Sequence, residues 1–587
     1  MSEHCTPVRS DSGNSGSTGA AHPLANACSR TCFLSQPAAH VPNQTGSRES
    51  PAAILPPVCS PLPLPGIWSS PVPAPLYPTD KEPCIPALFL DGHQQYLSLR
   101  ELLLRAHEIE DLALPLPPAA SATLRLLTAC VARTTRLDDP EMSAGEWSAR
   151  RRALLVQPHG FDPDAVHAYF DQYTWDLFDP LRPFLQDPRL SAQCTQRAGV
   201  NKLVFGRPEG NNLAWLSPHT DTGPHPVPTE QALWHLLIHH YYGGSGTCSV
   251  RTVGDRSLNK ATAGPLRSTL SFHPVGRTLH ETLLAGLPKP ADHWPDTPDR
   301  CPWEEPALPD PLASPPAVTW PGRLLTGRSS HALLLIPSAD GRHVTDAYVT
   351  AANQTKLPAL DPYLIHHFDT SKPIGQRHTP RRADADKALW RDLDALLLAG
   401  DEDSAVQRPE AFTTLNDLPP DLRAQLRVRV HGFDQDGKTV NRTWYTALTP
   451  PIWPWTQEHD PQAAEWIAAC RAEAEAVGAL LKKVSQAAWR TITTPPSASG
   501  RAARAPKRLP LWTKHTSAAY WPRAERVFWD LLAHPDRDAR AAFATEAAGI
   551  LRNVTRPIVA QHFRAARTVA QAVAELLRPP PSTRRTR

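Results

Sequence analysis

Three groups of residues in this 587-residue chain have types and spacing that suggest chemistry. His459-Asp460 matches the dipeptide with which metal-dependent phosphohydrolases hold a cation. That chemistry needs further His and Asp ligands, and here the pair opens a helical pattern, where Asp is a favoured first residue. His235 and His239 stand four apart on an expected helix and so share a face. No carboxylate or Cys joins them at ligand spacing, so they read either as half of a metal site or as a packed helical face. The third group is Tyr241-Tyr-Gly-Gly-Ser-Gly246, with Arg251 and Arg256 downstream. Its glycines serve either as a helix stop and turn or as a stretch of backbone that comes within hydrogen-bond range of a grooved partner such as nucleic acid.

The ten cysteines include no C-x-x-C pair, which argues against structural zinc, and there is no phosphate loop, nucleophile elbow, zincin helix or dinucleotide fingerprint. The expectation is therefore a binding protein rather than an enzyme, with no metal and no cofactor.

The elements that must position these residues fall into two blocks. Cys84–Leu90, a turn at Asp91-Gly92 and Gln95–Leu97 read as a strand pair, after which Ser98 and Glu101 form a capping box for a helix to about Glu108. Helices follow at 119–135, 162–173, 229–240, 278–287 and 387–398, with short strands and long Pro-rich connections between them. Arg427–His431 alternates like a strand, Gly432–Gly437 reads as a turn and Lys438–Tyr445 as the returning strand. Beyond a break at Pro450–Trp455, Ala-rich helical patterns cover 461–488, 516–533, 538–552 and 557–577. The link between the first two carries Arg501, Arg504, Lys507 and Arg508 among Pro, Ser and Gly. The predicted fold class is α+β: a mixed α/β recognition domain over 81–457 and a four-helix bundle over 458–578. A disordered Pro/Ser-rich leader over 1–80, with 14 prolines, reads either as a passive tail or as the binding segment of a proline-rich protein-interaction scaffold, and a basic tail over 579–587 completes the chain.

Charge is polarised along this plan. From Glu458 onward there are 21 Lys and Arg against 11 Asp and Glu, a net +10, while the remainder, 40 against 47, is net −7. A basic bundle suits a polyanion, although the bias of 49 Arg to 12 Lys also follows from GC-rich coding. No apolar run is long enough for a membrane span and no secretory signal is visible, so a soluble cytoplasmic protein with no membrane partner is expected.

Taken together, several segments resemble the CasA family, the large subunit of the type I-E CRISPR surveillance complex Cascade. Glu82-Pro-Cys-Ile-Pro86 with Leu97-Ser-Leu-Arg-Glu101, and Trp175-Asp-Leu-Phe-Asp-Pro180 with Arg182-Pro-Phe-Leu-Gln186, look like the family's opening segments. Gly264-Pro-Leu266, Val275–Leu284, Pro302-Trp-Glu304, Leu324-Leu-Thr326, Asp361-Pro362 and Lys387-Ala-Leu-Trp-Arg391 then fall in the family's order. The resemblance spans about 82–580; the leader has no counterpart, Cys84 replaces a usual tryptophan, and the cysteines that hold zinc in some members are missing.

The resemblance implies a noncatalytic subunit that contacts the 5′ handle of a guide RNA, inspects the protospacer-adjacent motif of double-stranded target DNA and starts strand separation. It also implies assembly with the other Cascade subunits and recruitment of a helicase-nuclease. The RNA-contacting loop would map to Asn211–Trp215 and the following Ser217–Pro228, with Trp215 either the anchor or a core aromatic. The motif-reading glycine loop would map to Gly243, Gly244, Ser245 and Gly246. A minor-groove lysine would map to Lys372, with Arg377 or Arg381 as alternatives. The strand-opening wedge would map to the hairpin tip, with Gln435 as the inserted side chain and Lys438 as a phosphate contact, or to an ordinary turn. Arg501, Arg504, Lys507 and Arg508 would contact DNA phosphates without reading sequence.

Overall fold

The computed structural model describes residues 75–209, 217–290, 297–355, 360–373, 377–399, 405–493 and 510–579, which lie within one compact unit running from Val72 to Arg587. Trp215 and the quartet Arg501, Arg504, Lys507 and Arg508 lie outside the described residues. Residues 1–74 of the expected leader also lie outside the described residues, and the last residues of its expected range are already packed into the fold. Thr79 and Asp80 are buried, and Thr79 donates its backbone N–H to the Trp175 carbonyl at 3.0 Å.

Small antiparallel sheets and short helices make up the first block. Ile85–Phe89 pairs with Gln94–Leu97, as the sequence predicts, and also with Ile109–Leu112, a strand whose four residues alternate too briefly to be read beforehand. The capping box is present: Ser98 Oγ accepts from the Glu101 N–H at 3.2 Å and Glu101 Oε2 from the Ser98 N–H at 2.9 Å. Its helix is short, Leu99–Leu104. The segment expected as one helix over 387–398 is a 3-10 turn, Leu389–Asp392, followed by a single helical turn, Asp394–Leu397. Asp392 there is buried between the cations of Arg381 and Lys387, a demand that overrides helical periodicity.

The element around which this block is built is helix Pro117–Thr135, started by prolines in its first turn where their missing N–H groups cost nothing. Seventeen of its nineteen residues are buried, including Arg125. The Arg125 guanidinium donates to both carboxylate oxygens of Asp361 at 3.1 and 2.8 Å, to the Ser271 hydroxyl at 2.9 Å and to the Ser121 carbonyl at 3.1 Å. Arg328 adds a further bond to Asp361 at 3.0 Å. Burial by itself would raise the Asp361 carboxyl, but Arg125 and then Arg328 override it and hold it below the usual range. The pair therefore joins the central helix, the strand Leu270–Val275 and the turn at Asp361 in one network.

The three-stranded sheet that carries the long hairpin has Arg427–Gln435 at its centre, flanked by Asn441–Leu448 and Leu270–Val275. The C-terminal helices are Pro461–Thr493, Leu511–Ala533, Ala539–Val559 and Phe563–Leu577. The first packs on all three others, and the third also meets the second and fourth. Pro557 lies inside the third helix rather than opening the fourth, and Pro522 lies inside the second. The helices join the α/β block through Arg391, whose guanidinium sits 3.5 Å from the Trp521 ring centre and forms a bidentate pair with Glu475 at 2.7 and 3.0 Å. Among the described residues no helix is long and apolar enough to cross a membrane.

Asp361→Asn should lower stability by about 3–5 kcal/mol, because two buried guanidinium groups lose their counter-charge. The measurement is the urea midpoint. In the parent this contribution is complete above the unfolded Asp pKa of ~4 and is lost as pH falls through the depressed folded value, whereas the variant should show a flatter acid limb.

Candidate nucleic-acid interface

Helix Thr229–Tyr242 delivers the glycine loop. Its face is set by internal packing: His239 Nε2 bonds the Leu203 carbonyl at 3.0 Å, and His235 Nδ1 accepts from the Phe205 N–H at 3.3 Å. Burial keeps both imidazoles well below their ordinary pKa, His235 at about 3. The packed-face reading of this His pair is the one the geometry supports, and among the described residues no group of three or more His, Cys, Asp or Glu is placed to hold a metal. At the other candidate pair, Asp460 Oδ1 accepts from the Ala463 N–H at 3.0 Å and so starts the helix that follows.

Gly243 ends the delivering helix and is buried. A Cβ at this position would stand 2.5 Å from His331 Cε1 and 2.6 Å from the His239 carbonyl oxygen, so the glycine is required by packing. His331 Nε2 lies 3.0 Å from the Gly244 carbonyl, which can only accept, so this nitrogen carries the hydrogen. Burial lowers the His331 pKa to about 4, against the opposing pull of this hydrogen bond, which favours the protonated ring.

The rest of the loop meets the hairpin tip. The Ser245 N–H donates to the Lys438 carbonyl at 2.8 Å, a Cβ on Gly244 would lie 3.0 Å from that same oxygen, and one on Gly246 would lie 3.3 Å from Thr439 Cγ2. Four of the sequence-predicted residues, Gly244, Ser245, Gly246 and Lys438, thus form one surface.

The hairpin differs from expectation in its turn. The first strand continues through Gln435, and the loop is Asp436–Val440. Gly432–Gln435 stay paired because they are buried, with Phe433 against Phe205, Tyr242 and Trp444. Gln435 is therefore not at the tip. It is 3% exposed, its Oε1 accepts from the Ser268 N–H at 3.1 Å, and its Nε2 donates to the Tyr242 carbonyl at 3.2 Å and to Asn441 Oδ1 at 2.7 Å. The amide is consumed at the base of the hairpin.

A residue that sequence reasoning passed over does more. Arg267 is buried, and its guanidinium donates to the Asp436 carbonyl at 3.1 Å, the Val440 carbonyl at 3.2 Å, the Tyr242 carbonyl at 3.0 Å and Asn441 Oδ1 at 3.2 Å. It closes the ends of the tip and ties them to the last helical residue before the glycines. Burial pulls its pKa down while Asp436 opposes the shift. Next to it Ser268 holds a left-handed φ of 64°, and its hydroxyl donates to the Gln435 carbonyl at 2.6 Å, so a strained residue is kept in place by the clamp it helps to form. No local motif marks Arg267; the signal was its position just after Gly264-Pro-Leu266.

The exposed cations here are few. Lys438 and Arg382 are exposed with no carboxylate partner among the described residues, and Arg382 Nη1 lies 3.9 Å from the Cβ position of Gly437. Arg382 reaches the tip because its backbone bridges Thr269. Arg256 and Lys260 are also exposed, on the two-stranded hairpin Gly246–Val253 and Arg256–Ala261 that leaves the glycine loop. Arg251 is not available: it is 1% exposed and donates to Asp187 at 2.6 Å and Gln193 at 2.8 Å. Lys372 is in the connection between strands His366–Phe368 and His378–Pro380 and pairs with Asp369 at 3.6 Å. The Arg377 Nε–H donates to the Lys372 carbonyl at 3.2 Å, and Arg381 pairs with Asp392. Among the described residues no hydrogen bond or ion pair joins these three to the glycine loop.

Gly243→Ala and Gly244→Ala should separate the two roles. The first should destabilise the whole block by about 1–3 kcal/mol through overpacking against backbone and a buried ring, read as a lower urea midpoint. The second should leave the midpoint nearly unchanged but raise the hydrogen-exchange rate of the Ser245 amide, whose acceptor on Lys438 is pushed away.

The family model for CRISPR-associated protein Cse1 matches residues 81–561. The CasA/Cse1 protein of Thermus thermophilus is 25% identical over 465 residues, covering 77% of this chain and 84% of that protein. A chain of a solved CRISPR RNA-guided surveillance complex superposes with a TM-score of 0.75 at 37% identity, covering 86% of this chain and all of that one. Cse1 of Thermobifida fusca shares the fold, with a TM-score of 0.66 at 21% identity over 86% of this chain and 98% of that one. With most of its length matched by the family model and its architecture shared with these proteins, the chain belongs to the Cse1 family of CRISPR-associated proteins.

Proposed function

We propose that the chain is the noncatalytic large subunit of a CRISPR RNA-guided surveillance complex, in which the glycine loop and hairpin tip act together on double-stranded target DNA. The observation that carries this reading is the joint surface of Gly244–Gly246 and Asp436–Val440, clamped from behind by Arg267 and Gln435. Glycines let backbone approach a minor groove closely, and that groove presents a degenerate pattern, so such a loop reads a short adjacent motif permissively. Lys438 and Arg382, with no carboxylate partner among the described residues, supply phosphate contacts on the same face, which add affinity without sequence information. Lys372, which pairs with Asp369, is retained as a further candidate cation. In this reading the loop before helix Thr229–Tyr242, Trp215 included, serves the 5′ handle of a guide RNA. Other Cascade subunits and a helicase-nuclease are the protein partners, in the cytoplasm.

Strand opening falls to the tip itself. Val440 is apolar and 52% exposed, beside Lys438 and Thr439, and apolar wedges are a common means of unstacking a base step. The buried Gln435 instead fixes where the wedge points.

The assembled complex tests the division. Lys438→Gln with Arg382→Gln should weaken binding to fully paired and pre-opened targets alike and reduce the log–log salt slope by about 2. Val440→Ser should leave binding to a pre-opened target unchanged while slowing base unstacking beside the motif, followed with a fluorescent base analogue, by about tenfold. Parental opening rates for Val440→Ser would remove the wedge from this surface.

A further inference from the structure

The C-terminal helices carry a second surface, remote in sequence from the glycine loop. From Ala547 to Ala574 the chain contains no Asp or Glu, yet it contains Arg552, Arg556, Arg564, Arg567 and His562. This stretch covers the end of helix Ala539–Val559, the turn Ala560–His562 and most of helix Phe563–Leu577. All four arginines are exposed, and none pairs with a carboxylate among the described residues. In contrast, Arg523, Arg537 and Arg540, which precede this stretch, face Glu546, Asp530 and Glu473.

Arg552 and Arg556 are four apart on the outgoing helix, and Phe563 and Arg567 four apart on the returning one, so each pair shares a face next to the turn. Phe563 is 86% exposed, the largest exposure of any large apolar side chain described. It opens its helix, and His562 before it forms no side-chain cap bond, so the first N–H groups of a fifteen-residue helix are left for another acceptor.

An aromatic ring 86% exposed, next in sequence to one arginine without a carboxylate partner and one helical turn from another, contributes little to stabilising this fold. It offers a flat face where a base can stack, with charge on either side for the phosphates that flank it. A duplex keeps its bases stacked and hides their faces, whereas an unpaired strand presents them, so the combination favours a single strand. We infer that the Arg552–Arg567 turn is a binding surface for unpaired nucleic acid, with Phe563 as the stacking platform and Arg552, Arg556, Arg564 and Arg567 as the phosphate contacts. It deepens the proposed function, since opening a duplex creates such strands, but rests on residues that the motif surface does not share.

The test uses the purified full chain and fluorescein-labelled 15-mers of one mixed sequence as single-stranded DNA, single-stranded RNA and duplex DNA, none carrying an adjacent motif. Phe563→Ala should weaken single-strand binding about fivefold or more and duplex binding less than twofold, and Phe563→Trp should restore it, because stacking and not charge is removed. Replacing the four arginines by Gln should weaken all probes and lower the salt slope by about 3 for a single strand. Photocrosslinking with 5-iodouracil should map to Phe563. Whichever single strand binds more tightly identifies the source. In Lys438→Gln with Arg382→Gln the 5-iodouracil crosslink should still map to Phe563, so failure of the motif reading would not be mistaken for failure here. Parental single-strand affinity in Phe563→Ala, or a crosslink elsewhere, would overturn the assignment; loss of partner subunits from Phe563→Ala at unchanged single-strand affinity would make the face a protein interface instead.

Discussion

One buried guanidinium holds the candidate interface together. Arg267 bonds the carbonyls at both ends of the hairpin tip and the carbonyl of Tyr242, the last residue before the glycines, so two segments almost 200 positions apart are fixed to each other by one side chain. A buried guanidinium carries a large desolvation cost, and it is tolerated here because its donors meet carbonyl acceptors and Asp436 lies near. Substitution by lysine would keep the charge but lose the fork that reaches several acceptors at once. The clamp ties loop and tip together, so under the proposed function a DNA groove engaged by the glycines would also set the position of Val440.

That unit is stiff only because its support is. The strand Arg427–Gln435 continues from the tip into the sheet and pairs there with Leu270–Val275, whose Ser271 is bonded by Arg125. The Arg125–Asp361 pair thus lies one strand behind the hairpin. In one direction the path from the core helix to the tip runs through strand pairing, and in the other through helix Thr229–Tyr242 to the glycines. Both end at Arg267. Under the proposed function such a closed frame would hold the surface in shape against the restoring force of a stacked duplex.

The sequence made local elements legible and long-range contacts illegible. The capping box at Ser98 and Glu101, the helix ending at Thr135 and the four Ala-rich C-terminal segments were readable because caps and apolar periodicity are short-range signals. Gln435 was misplaced because turn chemistry, Asp-Gly after Gln, competes with burial: Phe433 and its aromatic neighbours hold the strand in pairing past the glycine of position 432. Arg251 was misread for the converse reason. It follows a glycine run and looks like a surface cation, but its partner Asp187 lies 64 residues upstream and is invisible to any local window. Arg267 and Arg382 were missed alike, one because its acceptors are main-chain carbonyls, the other because only a backbone bridge to Thr269 carries it to the tip.

These cases bear on how an Arg-rich chain should be read. With 49 Arg and a net charge of +3, abundance says little, since many arginines are structural: Arg125, Arg251 and Arg328 are buried against carboxylates and Arg267 against carbonyls. What distinguishes a nucleic-acid contact is a cation held in water with no carboxylate to neutralise it, because only such a group gains by displacing counterions from phosphate. That criterion is met by Lys438 and Arg382 beside the glycine loop, by Arg256 and Lys260 on the hairpin leaving it and by the arginines around Phe563, and also by scattered cations such as Lys81, Arg136, Arg342 and Arg526, so what stands beside the charge has to decide. The first two sets stand with backbone and small side chains able to enter a groove, and the third with a free aromatic face. The difference in what accompanies the charge is what the two proposals rest on, one for paired DNA at the glycine loop and hairpin tip and one for an unpaired strand at the Phe563 turn.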